Sequence, residues 1–463
     1  MRAGTSSAPF PAKRRIKLVV IARLFLAKGG PVDSKDRASR APVARPISGQ
    51  PERIERRRFL ARGAAVTGAA AASGLAAGVQ AQELAGQPWE RVYGAGFTGY
   101  GQPSRFEQPI QRHIGRPYGS LAPGSGAALS PIERLEGIIT PSSLHNDRSH
   151  SGTPDIDPKQ HRLLLHGLVT RPLLFSVDAL SRYPMTSHIY FVECSGNSNR
   201  NLLPKPAQVP AGAIHGNVAC SEWTGIPLRM LLEEAGLQPQ AKWLLAEGAD
   251  SAHMSRSVPI EKALDDAMIA LYQNGERLRP EQGYPVRLLL PGWEGNMSVK
   301  WLRRIKATEG PTHTKDETSK YTDPLPDGRS LQFTFEMGVK SVITRPSATM
   351  LLPQQGFYEI SGIAWSGAGR IRRVEVSTDG GSTWSEAVLY GAERPKALVR
   401  FRMPWEWRGQ PAILQSRATD EKGNVQPPRK EWQARYSPDN RFHNNSIVSW
   451  SVGADGGVNN VYA

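Results

Sequence analysis

Only two of the 463 residues are cysteine, Cys194 and Cys220. That scarcity excludes a disulfide-built scaffold. No Cys-x-x-Cys pair occurs, which removes the usual structural zinc sites, and no Cys-x-x-Cys-His, which removes a covalently attached c-type haem from this chain. No predicted strand leads into a glycine-rich turn and helix of the dinucleotide-binding kind. Strongly apolar runs are missing as well. The one candidate, residues 61–79, is dominated by Ala and Gly, too weakly apolar for a permanent membrane span. There are no internal repeats.

What is present begins with charge. A formal net charge of +16 suggests a nucleic-acid partner, but its distribution argues otherwise. Residues 1–81 hold 16 Lys and Arg against 4 Asp and Glu, leaving 42 against 38 in the rest of the chain. A body so near balance has little electrostatic footprint for phosphates, so no nucleic acid is expected. The basic excess belongs to a leader. Arg56-Arg57-Arg58-Phe59-Leu60 opens the Ala/Gly-rich run, which closes on Val79-Gln80-Ala81. Twin arginines, a mildly apolar middle and small residues at the end describe a Tat export signal, placing the mature protein in the periplasm with no membrane span.

The pattern divides the chain into four parts: residues 1–81, an extension with the export signal; 82–131, a Gly/Pro/Ser-rich extended arm; 132–326, a mixed α+β domain; and 327–463, an all-β domain. Strands are expected at residues 162–169, 188–192, 242–246 and 286–290, with a short helix over 227–236. Beyond residue 327 helix signals nearly vanish. Short strands at 356–365, 372–377 and 412–418 alternate with turns such as Asp379-Gly380-Gly381, suggesting an immunoglobulin-like sandwich.

Cys194 ends an apolar strand and precedes Ser-Gly-Asn197, the kind of edge where α/β proteins place pockets. A thiol there can be a nucleophile, half of a Cys194–Cys220 disulfide, or a metal ligand. On spacing alone all three stay open.

Phe191-Val-Glu-Cys194-Ser-Gly-Asn197 resembles the cysteine motif of the sulfite oxidase family of molybdenum enzymes. Further blocks match in order: His215-Gly216 through Glu222-Trp-Thr-Gly-Ile-Pro-Leu228, then Glu281-Gln-Gly-Tyr-Pro-Val-Arg287, Val299-Lys300-Trp-Leu302, Gly362-Ile-Ala-Trp365-Ser-Gly and Val374-Glu-Val-Ser-Thr-Asp-Gly-Gly381. Ser143-Leu-His145, Gly152-Thr-Pro-Asp-Ile-Asp157 and Glu317-Thr-Ser-Lys-Tyr321 are similar to the SoxC group, the molybdenum subunits of bacterial sulfur-oxidation systems. The resemblance spans residues 130–455. It implies a molybdopterin-binding α+β domain followed by the sandwich, with a molybdenum–molybdopterin cofactor and no haem. By the same resemblance Cys194 is the metal ligand, a soft thiolate suited to a thiophilic metal. Arg148 and Tyr321 would act on substrate, while His150, Arg287 and Lys300 would hold the cofactor. Cys220 has no role in the family and is expected to be a small buried residue.

The chain departs from many family members after the cysteine turn, and from the animal enzymes at two later positions. Ser198-Asn199 precedes Arg200 where basic residues are usual, Gln282 replaces a histidine, and Asn445 stands where a substrate arginine is expected. The resemblance implies a sulfite or sulfane dehydrogenase that passes electrons to a SoxD-like c-type cytochrome subunit. A sulfur-carrier protein is a candidate substrate, and a homodimer or heterotetramer the implied assembly. Two alternatives are a periplasmic methionine sulfoxide reductase, a group without the sandwich, and a non-catalytic exported binding protein with the Cys194–Cys220 disulfide.

Overall fold

Alternation along residues 162–167 shows how the first sheet forms: Leu163 and Leu165 are fully buried while Arg162 and Gly167 face water. The computed structural model describes residues 88–90, 92–115, 123–391 and 393–463. Of these, the residues from Ser104 onward form one compact unit, and 88–103 belong to another. The export signal expected at Arg56 and Arg57 lies outside the described residues. Among the described residues no helix is long and apolar enough to cross a membrane.

The first five-stranded sheet runs Leu173–Ser176, Arg162–Gly167, Leu302–Thr308, Trp243–Gly248, Ser255–Pro259. All its pairs are antiparallel except Arg162–Gly167 with Leu302–Thr308. A parallel pair needs a long crossover, and here the crossover contains a second sheet. That sheet orders Glu276–Arg277, Met268–Gln273, Val218–Pro227 and Thr186–Glu193, with Arg287–Leu289 also paired to Met268–Gln273. Thr186–Glu193 is its outer strand, so Cys194 leaves the sheet at an edge. The expected helix is Leu228–Ala235. Leu228, Leu231, Leu232 and Ala235 share one buried face, and Gly236 ends it at φ +70°.

Residues 82–131, expected as an extended arm, contribute two strands. His113–Ile114 and Gly126–Leu129 pair with each other, and Gly126–Leu129 with Asp147–Ser149, which carries Arg148.

Beyond residue 332 two antiparallel sheets face a common core. One orders Lys340–Arg345, Gly356–Trp365, Val399–Trp407, Val388–Tyr390; the other Ser385–Glu386, Ile371–Ser377, Ala412–Asp420, Ser449–Val452, Val458–Val461. Ile360, Ile363 and Phe401 of the first meet Val374, Leu414 and Trp450 of the second. A helix not foreseen, Arg429–Arg435, lies in this half. Only Trp432 of it is buried, so the sequence carries no apolar periodicity to announce it. The sandwich core does not stop at its own residues: Ile132, Phe191, Ile214, Val218 and Cys220 belong to the same apolar cluster.

Candidate active site

The edge strand Thr186–Glu193 delivers Cys194 into a tight turn. Cys194 N–H donates to the Asn217 carbonyl at 3.0 Å, and Asn197 N–H closes the turn on the Cys194 carbonyl at 2.8 Å. Ser198 follows at φ +68°. Behind the turn lies buried Glu193, which accepts from Trp365 Nε1 at 2.6 Å and from Asn197 Nδ2 at 2.8 Å. Lys340, also buried, reaches Glu193 at 3.4 Å and donates to Ser198 Oγ at 2.6 Å and the Asn444 carbonyl at 2.7 Å. The sandwich therefore grips the cysteine turn through Lys340, Trp365 and Asn444.

In front of the turn is a cavity of about 670 Å³, its open mouth included. Cys194 lines it together with Arg148, His150, Arg287, Lys300 and Tyr321. All six residues singled out in the sequence thus meet in one place. Cys194 and Cys220 are both free thiols, so the Cys194–Cys220 disulfide is absent from this structure. Cys220 is wholly buried, and burial pushes its thiol up to about 12. Burial also raises the Cys194 thiol, against the Gly196 N–H and the positive charge of Arg148.

Arg148 sits on the strand Asp147–Ser149, its Nη1 donating to Ser125 Oγ at 3.2 Å and to the Gly126 carbonyl at 3.1 Å. His150 Nε2 and the Tyr321 hydroxyl lie 2.6 Å apart. Burial, then Arg148 and Lys320, pull His150 down to about 3, so its ring is neutral at physiological pH. Burial likewise holds the Tyr321 phenol protonated, above its usual range. A neutral imidazole and a neutral phenol share one short hydrogen bond beside the thiol.

Another stretch of the lining, with Arg287 and Lys300, suits an anion. Arg287 is 2% exposed, and its guanidinium donates to the Gln282 carbonyl at 3.1 Å and the Ser298 carbonyl at 3.0 Å, leaving Nε without a partner. Burial lowers it to about 10, still a cation at neutral pH. Lys300 Nζ is held by Asp147 at 2.6 Å and the Glu281 carbonyl at 2.9 Å. Gly283 between them has φ +105°, and a Cβ there would stand 3.1 Å from the Cβ atoms of both Arg287 and Lys300, so only glycine permits this approach. His145 Nε2 and Asn146 Oδ1 are also buried without partners. Such orphaned groups cost free energy unless something meets them. A buried guanidinium with two further polar groups unmet suits a pterin with a phosphate tail.

Sequence reasoning singled out Gln282 without a role and missed Asp147, Asn146 and Asn217, which support this set. Asp147 pairs with Lys300 across 153 positions, and Asn146, Asn217 and Gln282 form an amide chain: Asn146 Nδ2 donates to Asn217 Oδ1 at 2.9 Å, and Gln282 Nε2 to the Asn146 carbonyl at 3.0 Å. Glu193 did leave a signal, as the one Asp, Glu, Lys or Arg of Thr186–Glu193, whereas Lys340 shares its strand with Arg345.

Comparison with known proteins agrees with this geometry. The oxidoreductase molybdopterin binding domain family matches residues 150–315, and the Mo-co oxidoreductase dimerisation domain family matches residues 332–449. The chain is 32% identical over 347 residues to an NADH nitrate reductase of Solanum lycopersicum, covering 65% of this chain and 38% of that protein. With NADH nitrate reductase 1 of Arabidopsis thaliana the identity is 31% over 348 residues, 66% and 38% covered. The chain thus spans under two-fifths of the length of these relatives. The crystal structure of the sulfane dehydrogenase SoxCD from Paracoccus pantotrophus superposes with a TM-score of 0.78 at 43% identity, covering 81% of this chain and 97% of that one. Among the described residues no three His, Cys, Asp or Glu side chains cluster to hold a metal by themselves. With its lone cavity thiol, its anion-binding wall and these matches, the chain belongs to the sulfite oxidase family of molybdenum enzymes and takes molybdenum–molybdopterin as its cofactor.

Proposed function

We propose that the chain is an exported sulfur-compound dehydrogenase of the SoxC type, working in the periplasm. It oxidises sulfite, or sulfane sulfur carried on a partner protein's cysteine, and passes the electrons to a c-type cytochrome subunit. One observation carries this reading. Cys194, Arg148 and the His150–Tyr321 pair line a single cavity, in a chain of which 81% superposes on a sulfane dehydrogenase at 43% identity. We read the sandwich as immunoglobulin-like and as the dimer-forming half.

Cys194 would hold the molybdenum, with Arg287, Lys300 and His150 holding the pterin and its phosphate. When bound, the cofactor supplies the two-electron redox chemistry. Forming one sulfur–oxygen bond consumes a water and releases two protons and two electrons. Arg148, fixed by Ser125 and Gly126, stabilises negative charge as it grows on the substrate oxygen. Tyr321 is protonated throughout, so it can turn its hydroxyl from His150 to the substrate or accept a proton-bearing water. The cations of this cavity are already engaged, Arg148 by Ser125 and Gly126, Lys300 by Asp147, and Arg287 by the Gln282 and Ser298 carbonyls. This favours a substrate with little negative charge, as a carrier-bound sulfane has.

A second reading, nitrate reduction, is favoured by the curated relatives. Match of the dimerisation family to residues 332–449 counts against the methionine sulfoxide reductase alternative. The test measures two activities of the molybdenum-loaded protein: sulfite-dependent reduction of cytochrome c, and nitrate reduction driven by reduced viologen. The first alone supports the proposal; the second alone replaces it. Cys194→Ser should lower either turnover by at least ~10³-fold while circular dichroism stays unchanged.

A further inference from the structure

Electrons released at the cofactor that Cys194 would hold must reach the surface, and the fold offers a short route. The Ser195 carbonyl, one residue on, accepts from His443 N–H at 2.8 Å. Two residues before His443 is Arg441, whose carbonyl lies 3.9 Å from where a Cβ on Gly196 would be. Its side chain is exposed. From metal ligand to solvent this is a single hydrogen bond and a few covalent steps.

The pieces of surface reached this way are tied to one another. Trp432 Nε1 donates to the His443 carbonyl at 2.9 Å, tying the helix Arg429–Arg435 to the loop, and Arg429 donates to the Asn201 carbonyl, tying the same helix to the segment after the cysteine turn. Exposed on these pieces are Arg200, Lys205, Lys430, Arg435 and Arg441, against only Glu431 and Asp439. Leu203, 47% exposed, supplies an apolar spot among them. None of Arg200, Lys205, Lys430 or Arg435 lines the substrate cavity.

We infer that this face, formed by residues 199–205 and 429–443, is the docking surface for the electron acceptor, and that the acceptor is a one-electron haem protein with an acidic rim. The inference rests on the function proposed above. Each turnover reduces two haems from ferric to ferrous, one electron each, and water supplies the oxygen added to sulfur. Opposite charge on the two faces steers encounter, while the apolar spot lets the partner approach closely.

The experiment uses the full-length molybdenum-loaded protein with sulfite. Electrons are taken up either by an acidic bacterial cytochrome c or by phenazine methosulfate, a small dye that needs no docking face. At about 10 mM salt the double variant Lys430→Glu/Arg435→Glu should raise KM for the cytochrome on the order of tenfold, leaving dye turnover unchanged, and the effect should shrink at about 150 mM salt. Arg200→Glu, on a separate segment, should act in the same direction and keeps the test in force if the double variant misfolds. Unchanged cytochrome KM at both salts, with dye turnover intact, overturns the docking surface alone. Absence of dye turnover in the unsubstituted protein with sulfite and with a sulfane-loaded carrier cysteine alike overturns the functional reading, and the docking surface with it.

Discussion

His145, His150 and His215 are enclosed where water cannot solvate a charge. Burial pulls the first two down to about 3 and the third well below its ordinary value near 6.5. Between pH 6.5 and 3 an unfolded chain therefore binds protons at these positions that the folded chain refuses. By linkage the folded state loses stability as pH falls through that window, and the histidine contribution is fully present above it. We expect the thermal midpoint to fall steadily from pH 6.5 to 4, and His215→Gln to flatten that slope; a midpoint independent of pH over this range would contradict the burial of these rings. At this scale the sequence was legible wherever residue type alone is diagnostic. Cys194, Arg148 and Tyr321 stand in motifs whose chemistry tolerates little else. Asp147 was not legible, since its meaning lies in Lys300, 153 positions away.

Elements were legible when one face is apolar. The strand Arg162–Gly167 and the helix Leu228–Ala235 announce themselves by alternation and helical spacing, and Gly356–Trp365, buried through its last six residues, by a β-rich stretch bounded by turns. The helix Arg429–Arg435 does not, because it rests on Trp432 alone. Nor did composition reveal that Gly126–Leu129 pairs with the strand bearing Arg148; a four-residue strand rich in Gly and Ala looks like linker. The turn at Gly283 makes a testable case. Gly283→Ala must place a Cβ 3.1 Å from two neighbouring Cβ atoms at φ +105°, at a cost on the order of 1–3 kcal/mol. Because the displaced residues are Arg287 and Lys300, molybdenum content per chain should drop along with the thermal midpoint. Wild-type metal content in a destabilised variant would separate the turn from cofactor retention.

For the whole molecule, the α+β half and the sandwich share more than a boundary. Apolar packing runs from Phe191 and Cys220 into the sandwich, and the buried Lys340–Glu193 pair crosses between the halves. Removing one partner of such a pair typically costs about 3–5 kcal/mol. Lys340→Met should therefore destabilise by that order in denaturant unfolding, and residues 88–331 expressed alone should be insoluble or lack molybdenum. A soluble, metal-loaded fragment would refute that dependence.

The grip of Lys340 on Ser198 and Asn444 also bears on inheritance. When relatives exchange C-terminal halves, by recombination or by laboratory shuffling, the cysteine turn of one parent meets the lysine strand of the other. Chimaeras that keep residues 193–198, 340 and 444 from the same parent should survive such crosses, and those that split them should not. What looks like a convenient breakpoint near residue 330 divides a single inherited unit.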